Sequence, residues 1–298
     1  MKQLEIKQIL VPTDFSETAK LAIEHAGFMA RLFKAELNLL HIMKPITSTV
    51  PLPELTLNSN NLKVLQDAIQ SRLDMEAEEI KKKNGVEVKT FLNTGGVATG
   101  IKEVAEECKA DIIIMGTHGV SGFQEFFIGS NAYRAITTVE CPVLTVQKHT
   151  EKVGFSNILL PIDSSVHTRD KVGAACAFAE KYGSVIHILG CITPEHEGEE
   201  KQMEIRIAQV EEYFDKHKVP HKKIIRKGNN LSRLSYDYGK EINADLIVIM
   251  SEQEPSSDLF LGPYAQQIVN RSKIPVLTVK PKEHLAQISQ MGRSFGSF

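Results

Sequence analysis

Long hydrophobic runs are missing from this 298-residue chain: no stretch approaches the ~20 apolar residues that a membrane-spanning helix needs. No membrane partner is therefore expected. Met1-Lys2-Gln3-Leu4-Glu5 lacks the apolar core of a signal peptide, so a cytoplasmic location is the expectation. The four cysteines, Cys108, Cys141, Cys176 and Cys191, form no Cys-x-x-Cys pair. That spacing supports neither a zinc knuckle nor a redox motif, and free buried thiols in a reducing compartment are the simpler reading. An excess of positive charge is lacking as well. The chain has 35 Lys/Arg against 37 Asp/Glu, and residues 1–149 hold 16 against 18. Neither half announces the basic face of a nucleic-acid binder, so no nucleic-acid partner is expected.

What is present is a repeat. Ile9-Leu10-Val11-Pro12-Thr13-Asp14-Phe15-Ser16 returns as Ile158-Leu159-Leu160-Pro161-Ile162-Asp163-Ser164-Ser165, and Pro142-Val143-Leu144-Thr145-Val146 returns as Pro275-Val276-Leu277-Thr278-Val279. A period this long means two domains, since solenoid repeats run about 20–50 residues. The expected division is 1–150, 151–282 and a polar, Gly/Ser-rich tail over 283–298 that looks flexible. In the first copy, apolar β-branched runs predict strands near 7–12, 36–42, 86–92, 111–115 and 142–147, with helices near 17–33, 61–83, 97–108 and 130–138. Alternating strands and helices predict an α/β fold, with a five-stranded, mainly parallel sheet in each copy and helices on both faces. The first helix keeps one apolar stripe, Ala22, Ile23, Ala26, Met29, Ala30 and Phe33, matched in the second copy except at Lys171. Ser16, and Ser164 or Ser165, are placed to cap these helices. Residues 45–60, with three prolines, predict a mobile loop.

The chain's chemistry gathers around Met115-Gly116-Thr117-His118-Gly119, which follows the strand Ile112-Ile113-Ile114, and around Gly129-Ser130 ten residues on. Neither a Gly-Lys-Ser/Thr P-loop nor a Gly-x-Gly-x-x-Gly fingerprint is present in this stretch. Glycines at a strand end that opens into a helix nonetheless form a natural phosphate cradle. The backbone turns tightly there, and helix-start N–H groups with the dipole behind them favour an anion. Plain turn chemistry is the alternative reading. Ser130 offers a hydroxyl to cap the helix or to donate to phosphate. Ligands in such sheets bind outside the carboxyl ends of the strands, where Asp14, Ile42 and Gly116 fall.

Taken in order, the Ile9–Ser16 run, Leu39-Leu40-His41-Ile42, the glycine pattern and Cys141-Pro142-Val143-Leu144-Thr145-Val146 resemble the universal stress protein family. The likeness is strong over residues 1 to about 150 and weaker over the next 130 or so. The pattern Gly116, two residues, Gly119, nine residues, Gly129-Ser130 is similar to that of the family's ATP-binding subclass. The resemblance implies two tandem Rossmann-like domains of the adenine nucleotide alpha hydrolase-like kind. It implies that Asp14 hydrogen-bonds near the adenosine moiety, although a carboxylate beside a helix N-terminus also has a structural reading. Pro12 and Thr13 would line the same wall. Ile42 would read an adenine edge through its backbone, and Met115 would pack under the base or ribose or simply fill core. His118 would meet phosphate when protonated, with Gly119, Gly129, Ser130 and Asn131 at the phosphate rim. ATP or another adenine nucleotide is the implied ligand, with Mg²⁺ held mainly by phosphate oxygens and water rather than by a dedicated metal site. The family's edge-to-edge pairing implies intramolecular contact of Val143–Val146 with Val276–Val279, with a homodimer of the whole chain as a further option. The second copy departs from the pattern. Ser251, Glu252, Gln253 and Glu254 replace the glycines, and Pro263 replaces the serine, so no ATP is expected there. The leading functional expectation is an adenine-nucleotide-binding regulatory module of the stress response. A slow ATPase or AMP/ADP-binding module, and a nucleotide-free structural tandem, are the alternatives. No residue presents itself as a general base.

Overall fold

The computed structural model describes residues 3–44, 59–117, 129–148, 150, 152–251 and 261–281. The first copy runs β1 (Gln8–Pro12), α1 (Glu17–Phe33), β2 (Glu36–Met43), α2 (Ser59–Asn84), β3 (Val88–Thr94), α3 (Val97–Glu107), β4 (Ile112–Gly116), α4 (Ser130–Thr138) and β5 (Val143–Val146). The second runs β6 (Asn157–Ile162), α5 (Val172–Tyr182), β7 (Val185–Ile192), α6 (Glu200–Lys216), β8 (His221–Lys227), α7 (Leu231–Glu241), β9 (Leu246–Met250), α8 (Pro263–Arg271) and β10 (Val276–Val279). The element bounds of the first copy lie within two residues of the expected ones. The loop expected over 45–60 falls largely outside the described residues, and its last two positions already belong to α2. The tail expected over 283–298 and the acidic run from Glu252 to Glu254 also lie outside them.

Strands of each copy pair in parallel, in the orders β3-β2-β1-β4-β5 and β8-β7-β6-β9-β10. A shared carboxylate device starts both sheets. Asp111, just before β4, accepts the N–H groups of Lys7 and Gln8 at 2.7 and 2.8 Å. Asp245, just before β9, accepts those of Ser156 and Asn157, each at 2.9 Å to Oδ1. The two halves do not remain separate five-stranded sheets. β5 and β10 pair antiparallel, with Leu144 opposite Leu277, Val143 opposite Thr278 and Thr145 opposite Val276. The described strands therefore form one ten-stranded sheet, and the two apolar edges cover each other.

Side chains alternate across the sheet, so Ile9 and Val11 enter one core layer and Leu10 the other. Each layer draws residues from both copies. On one face α1 meets α5 through an aromatic cluster. Phe178 lies 5.9 Å from Phe33, 6.0 Å from Phe155 and 5.9 Å from Tyr182 between ring centroids. Phe178 is fully buried. Phe178→Ala is expected to cost about 3–5 kcal/mol in denaturant unfolding, the usual range for a buried aromatic cut to alanine. A loss under about 1 kcal/mol would show that the cluster does not bind the halves together.

The capping expectations divide. Ser16 Oγ accepts the Ala19 N–H at 3.2 Å and starts α1. Neither Ser164 nor Ser165 caps α5, which begins only at Val172, behind Lys171. Ser165 instead donates its N–H to Asp163 Oδ1 at 3.0 Å, and residues 166–171 form turns where the first copy is already helical. Ser130 does not cap α4 either. Gly129 is the cap, with no side-chain bond, and Ser130 is the first helical residue.

Candidate functional site

In each copy the sheet order reverses between its first and fourth strands, which is where an open α/β sheet leaves a crevice. A cleft of about 490 Å³ opens there in the first copy. Three tight bonds shape its wall after β1. Thr13 N–H donates to the Leu40 carbonyl at 2.8 Å, Phe15 N–H to Thr13 Oγ1 at 3.0 Å, and Ser16 N–H to Asp14 Oδ1 at 3.1 Å. Together they hold Phe15 at φ 62°, a left-handed conformation that a bulky residue adopts only under such constraint. The Phe15 ring stacks on His41 at 4.6 Å and lies under the Arg72 guanidinium at 4.0 Å, which ties α2 to the same corner. His41 Nδ1 sits 2.8 Å from the Thr13 carbonyl, so its proton belongs on that nitrogen. His41 is thus engaged in holding the wall. Asp14 stands exposed at the mouth.

Ile42 presents its backbone to the cleft for a reason of parity. Leu40 turns its carbonyl to Thr13 on the β1 side, and Met43 turns its carbonyl to Gly95 on the β3 side at 2.9 Å. Peptide groups alternate along a strand. The N–H and C=O of Ile42 therefore face the β1 side, beyond Pro12, where β1 has ended. The Ile42 side chain is buried against α3. Gly116 closes the floor. A Cβ there would come within 2.7 Å of Thr18 Cγ2 and 3.2 Å of its backbone carbon, so only glycine lets β4 end this close to α1. Beyond it, Thr117 N–H donates to Val146 and the Thr117 carbonyl accepts Gly129 N–H at 2.7 Å. That bond brings the start of α4 to the cleft. Its first N–H groups lack intrahelical acceptors, and Ser130, Asn131 and Ala132 line the cleft.

Of the residues expected to form a site, Pro12, Thr13, Asp14, Ile42, Met115, Gly116, Gly129, Ser130 and Asn131 all line this one cleft. His118 and Gly119 lie outside the described residues. Sequence reasoning missed Val97 and Ile101 of α3, Leu65 and Ile69 of α2, and Lys44 at the rim. The i, i+4 spacing of each apolar pair was visible but is identical to that of core residues. A larger hollow of about 900 Å³ flanks α7 and α8 and includes Arg233, Arg271 and Lys273, but neither Asp163 nor Cys191. It is therefore not the second copy's version of the cleft.

A parallel sheet of this strand order, with a glycine-bounded helix start at its switch point, defines a Rossmann-like α/β domain, and the chain carries two in tandem. The chain belongs to the universal stress protein family, whose model matches residues 5–147 and 154–280. It is 34% identical over 155 residues to universal stress protein MJ0577 of Methanocaldococcus jannaschii, covering 48% of this chain and 95% of that one. It is 32% identical over 145 residues to MJ0531 of the same organism, covering 48% and 82%. The crystal structure of a universal stress protein from Archaeoglobus fulgidus DSM 4304 matches across 92% of this chain and 98% of that one, with TM-score 0.74 at 21% identity, a likeness of fold. No helix among the described residues is long and apolar enough to cross a membrane.

Proposed function

We propose that the first domain binds an adenine nucleotide, ATP in the first instance, and that the chain acts as a nucleotide-responsive regulatory module of the stress response in the cytoplasm. The observation that carries this reading is the convergence of Asp14, the Ile42 peptide groups, Gly116 and the start of α4 on one cleft. Its ~490 Å³ lies within the usual range for small-ligand sites. Ile42 supplies one N–H donor and one carbonyl acceptor, the pair an adenine edge requires. Val97, Ile101 and Met115 supply the apolar surface for the base. Asp14 accepts from ribose hydroxyls, and the N–H groups opening α4 take phosphate. Mg²⁺ would ride on the phosphate oxygens, with water completing its shell.

Binding is favoured over turnover. The charged groups among the described lining residues are Asp14 and Lys44, and His41 is committed to Thr13 and Phe15. None is placed as a base for an attacking water at the α4 end. Titration calorimetry with ATP and Mg²⁺ is expected to give one site per chain. Gly129→Glu, at a cap with φ −57° that any residue can adopt, sets a carboxylate where phosphate would sit. That variant is expected to bind at least tenfold more weakly, about 1.4 kcal/mol. No heat from the intact protein would sink the nucleotide reading. Sustained phosphate release would move the reading to an ATPase.

A further inference from the structure

The second copy has its elements in the same order, and β7, α7, β9 and α8 equal β2, α3, β4 and α4 in length, so its cleft residues follow by register. Asp163 corresponds to Asp14 and Cys191 on β7 to Ile42 on β2. Ser235 on α7 corresponds to Ile101 on α3, and Tyr264 on α8 to Asn131 on α4. In the first copy these positions surround open space, and Asn131 is exposed at its rim. In the second, Tyr264 is 7% exposed and Ser235 and Cys191 are buried. The Tyr264 hydroxyl lies 2.9 Å from Ser235 Oγ, so the ring reaches from the start of α8 across to α7. Burial, and to a lesser degree the charges of Cys191 and Asp163, push the Tyr264 phenol well above its ordinary range, while the Ser235 hydrogen bond acts the other way. The Tyr264 side chain is therefore bonded to the counterpart of Ile101 and buried in the same core layer as the counterpart of Ile42, two residues that bound the first cleft.

We infer that the second domain retains the ligand cleft of the first and keeps it permanently filled with its own Tyr264 side chain, which serves as an internal ligand. This rests on reading the first cleft as a ligand site. The observations fit that role and not mere core filling. The plug is amphipathic, its polar tip is met by a serine where the first copy has isoleucine, and the aspartate turn after the first strand is kept in both copies. Ser16 N–H bonds Asp14 at 3.1 Å, and Ser165 N–H bonds Asp163 at 3.0 Å. Tyr264 thereby determines which half of the tandem responds to ligand. One half changes with occupancy and the other is fixed in a filled state.

The test uses the full chain, Tyr264→Ala and Tyr264→Asn as opened variants, and Tyr264→Phe as a control that keeps the ring. Two probes are applied: p-cresol, which is the missing side chain itself, and adenosine, which avoids phosphate. The expected results are a rise in the melting temperature of the opened variants with p-cresol, and adenosine binding at two sites instead of one. Native protein and Tyr264→Phe should show neither change. If p-cresol fails to stabilise a folded opened variant, the inference fails, whatever the native chain does with nucleotide. If p-cresol stabilises but adenosine gains no second site while the first still binds, the ring packs a core gap and the inference is overturned. Adenosine absent from every protein, with p-cresol rescue intact, defeats the nucleotide reading of the first domain and leaves the filled cleft standing.

Discussion

Asn131→Tyr combined with Ile101→Ser is expected to abolish nucleotide binding while leaving the sheet intact. The pair recreates in the first domain what Tyr264 and Ser235 do in the second, where hydroxyl and hydroxyl lie 2.9 Å apart. Asn131 is the second residue of α4 and Tyr264 the second of α8, so the incoming ring leaves its helix at the same point. Ile101 and Ser235 are each the fifth residue of their helices. On the proposed reading, filling the cleft takes the apolar surface of Val97, Ile101 and Met115 away from adenine and blocks its approach to the Ile42 peptide. A loss of at least a hundredfold in ATP affinity is expected, about 2.7 kcal/mol. Asn131→Tyr alone leaves the phenol hydroxyl facing isoleucine, an unpaired buried polar group that costs about 1–3 kcal/mol. The ring should then swing outward, and inhibition should be weaker. Calorimetry measures the affinity, and circular dichroism with thermal unfolding checks the fold. Unchanged ATP affinity in a folded double variant would mean that nucleotide does not enter between α3 and α4.

How far these residues were legible in the sequence depended on whether their role was local. Apolar β-branched runs such as Ile112-Ile113-Ile114 fix a strand, and strand ends fix where a crevice opens. Asp14, Ile42 and Gly116 were legible that way, and Gly129 through the glycine pattern that opens a helix. The edge strands were legible as repeated Val-Leu-Thr-Val segments, but their register, Leu144 on Leu277, belongs to the assembled sheet. Val97 and Ile101 were hidden because an apolar pair at i, i+4 has one pattern whether it faces core or ligand. Ser130 was misjudged by one position, since Gly129 already has the extended cap conformation. Tyr264 was hidden for a different reason. Lost glycines and added acids are visible in the second copy's sequence, but a tyrosine one residue into a helix carries no local signal of where its ring goes. Lys171 showed only as a break in an apolar stripe. Its meaning required seeing that the helix start unwinds in the second copy.

That lysine yields the other large expected effect. Lys171 is 3% exposed, and its Nζ donates to the Thr168 carbonyl at 2.6 Å and to Thr168 Oγ1 at 3.3 Å. Burial lowers its pKa from 10.5 to about 8, with Asp163 pulling it partly back up. Below about pH 8 the amine is charged in both folded and unfolded chains, and the folded state bears the cost of burying that charge. Between about 8 and 10.5 the folded chain has released the proton while the unfolded chain still holds it, so stability rises with pH. The fall from 10.5 to about 8 corresponds to roughly 3 kcal/mol across that window. Other groups act in the opposite sense. Burial pushes the Cys141 and Cys176 thiols from 9.0 up to about 12, so the unfolded chain ionises first and stability falls above pH 9. The native protein should therefore gain stability just above pH 8 and then turn over. Lys171→Met separates the two effects, because the thiols remain and the amine is gone. The native-minus-variant stability difference is expected to climb by roughly 3 kcal/mol from pH 7 to 10.5, read from urea unfolding at stepped pH. At pH 7 the variant should be no less stable than the native chain, as a buried charge exchanged for a packed apolar group is often neutral or stabilising. A difference that stays flat with pH would mean the amine keeps its ordinary affinity for protons and reaches water. In that case the turns over residues 166–171 would open enough to admit water to the amine.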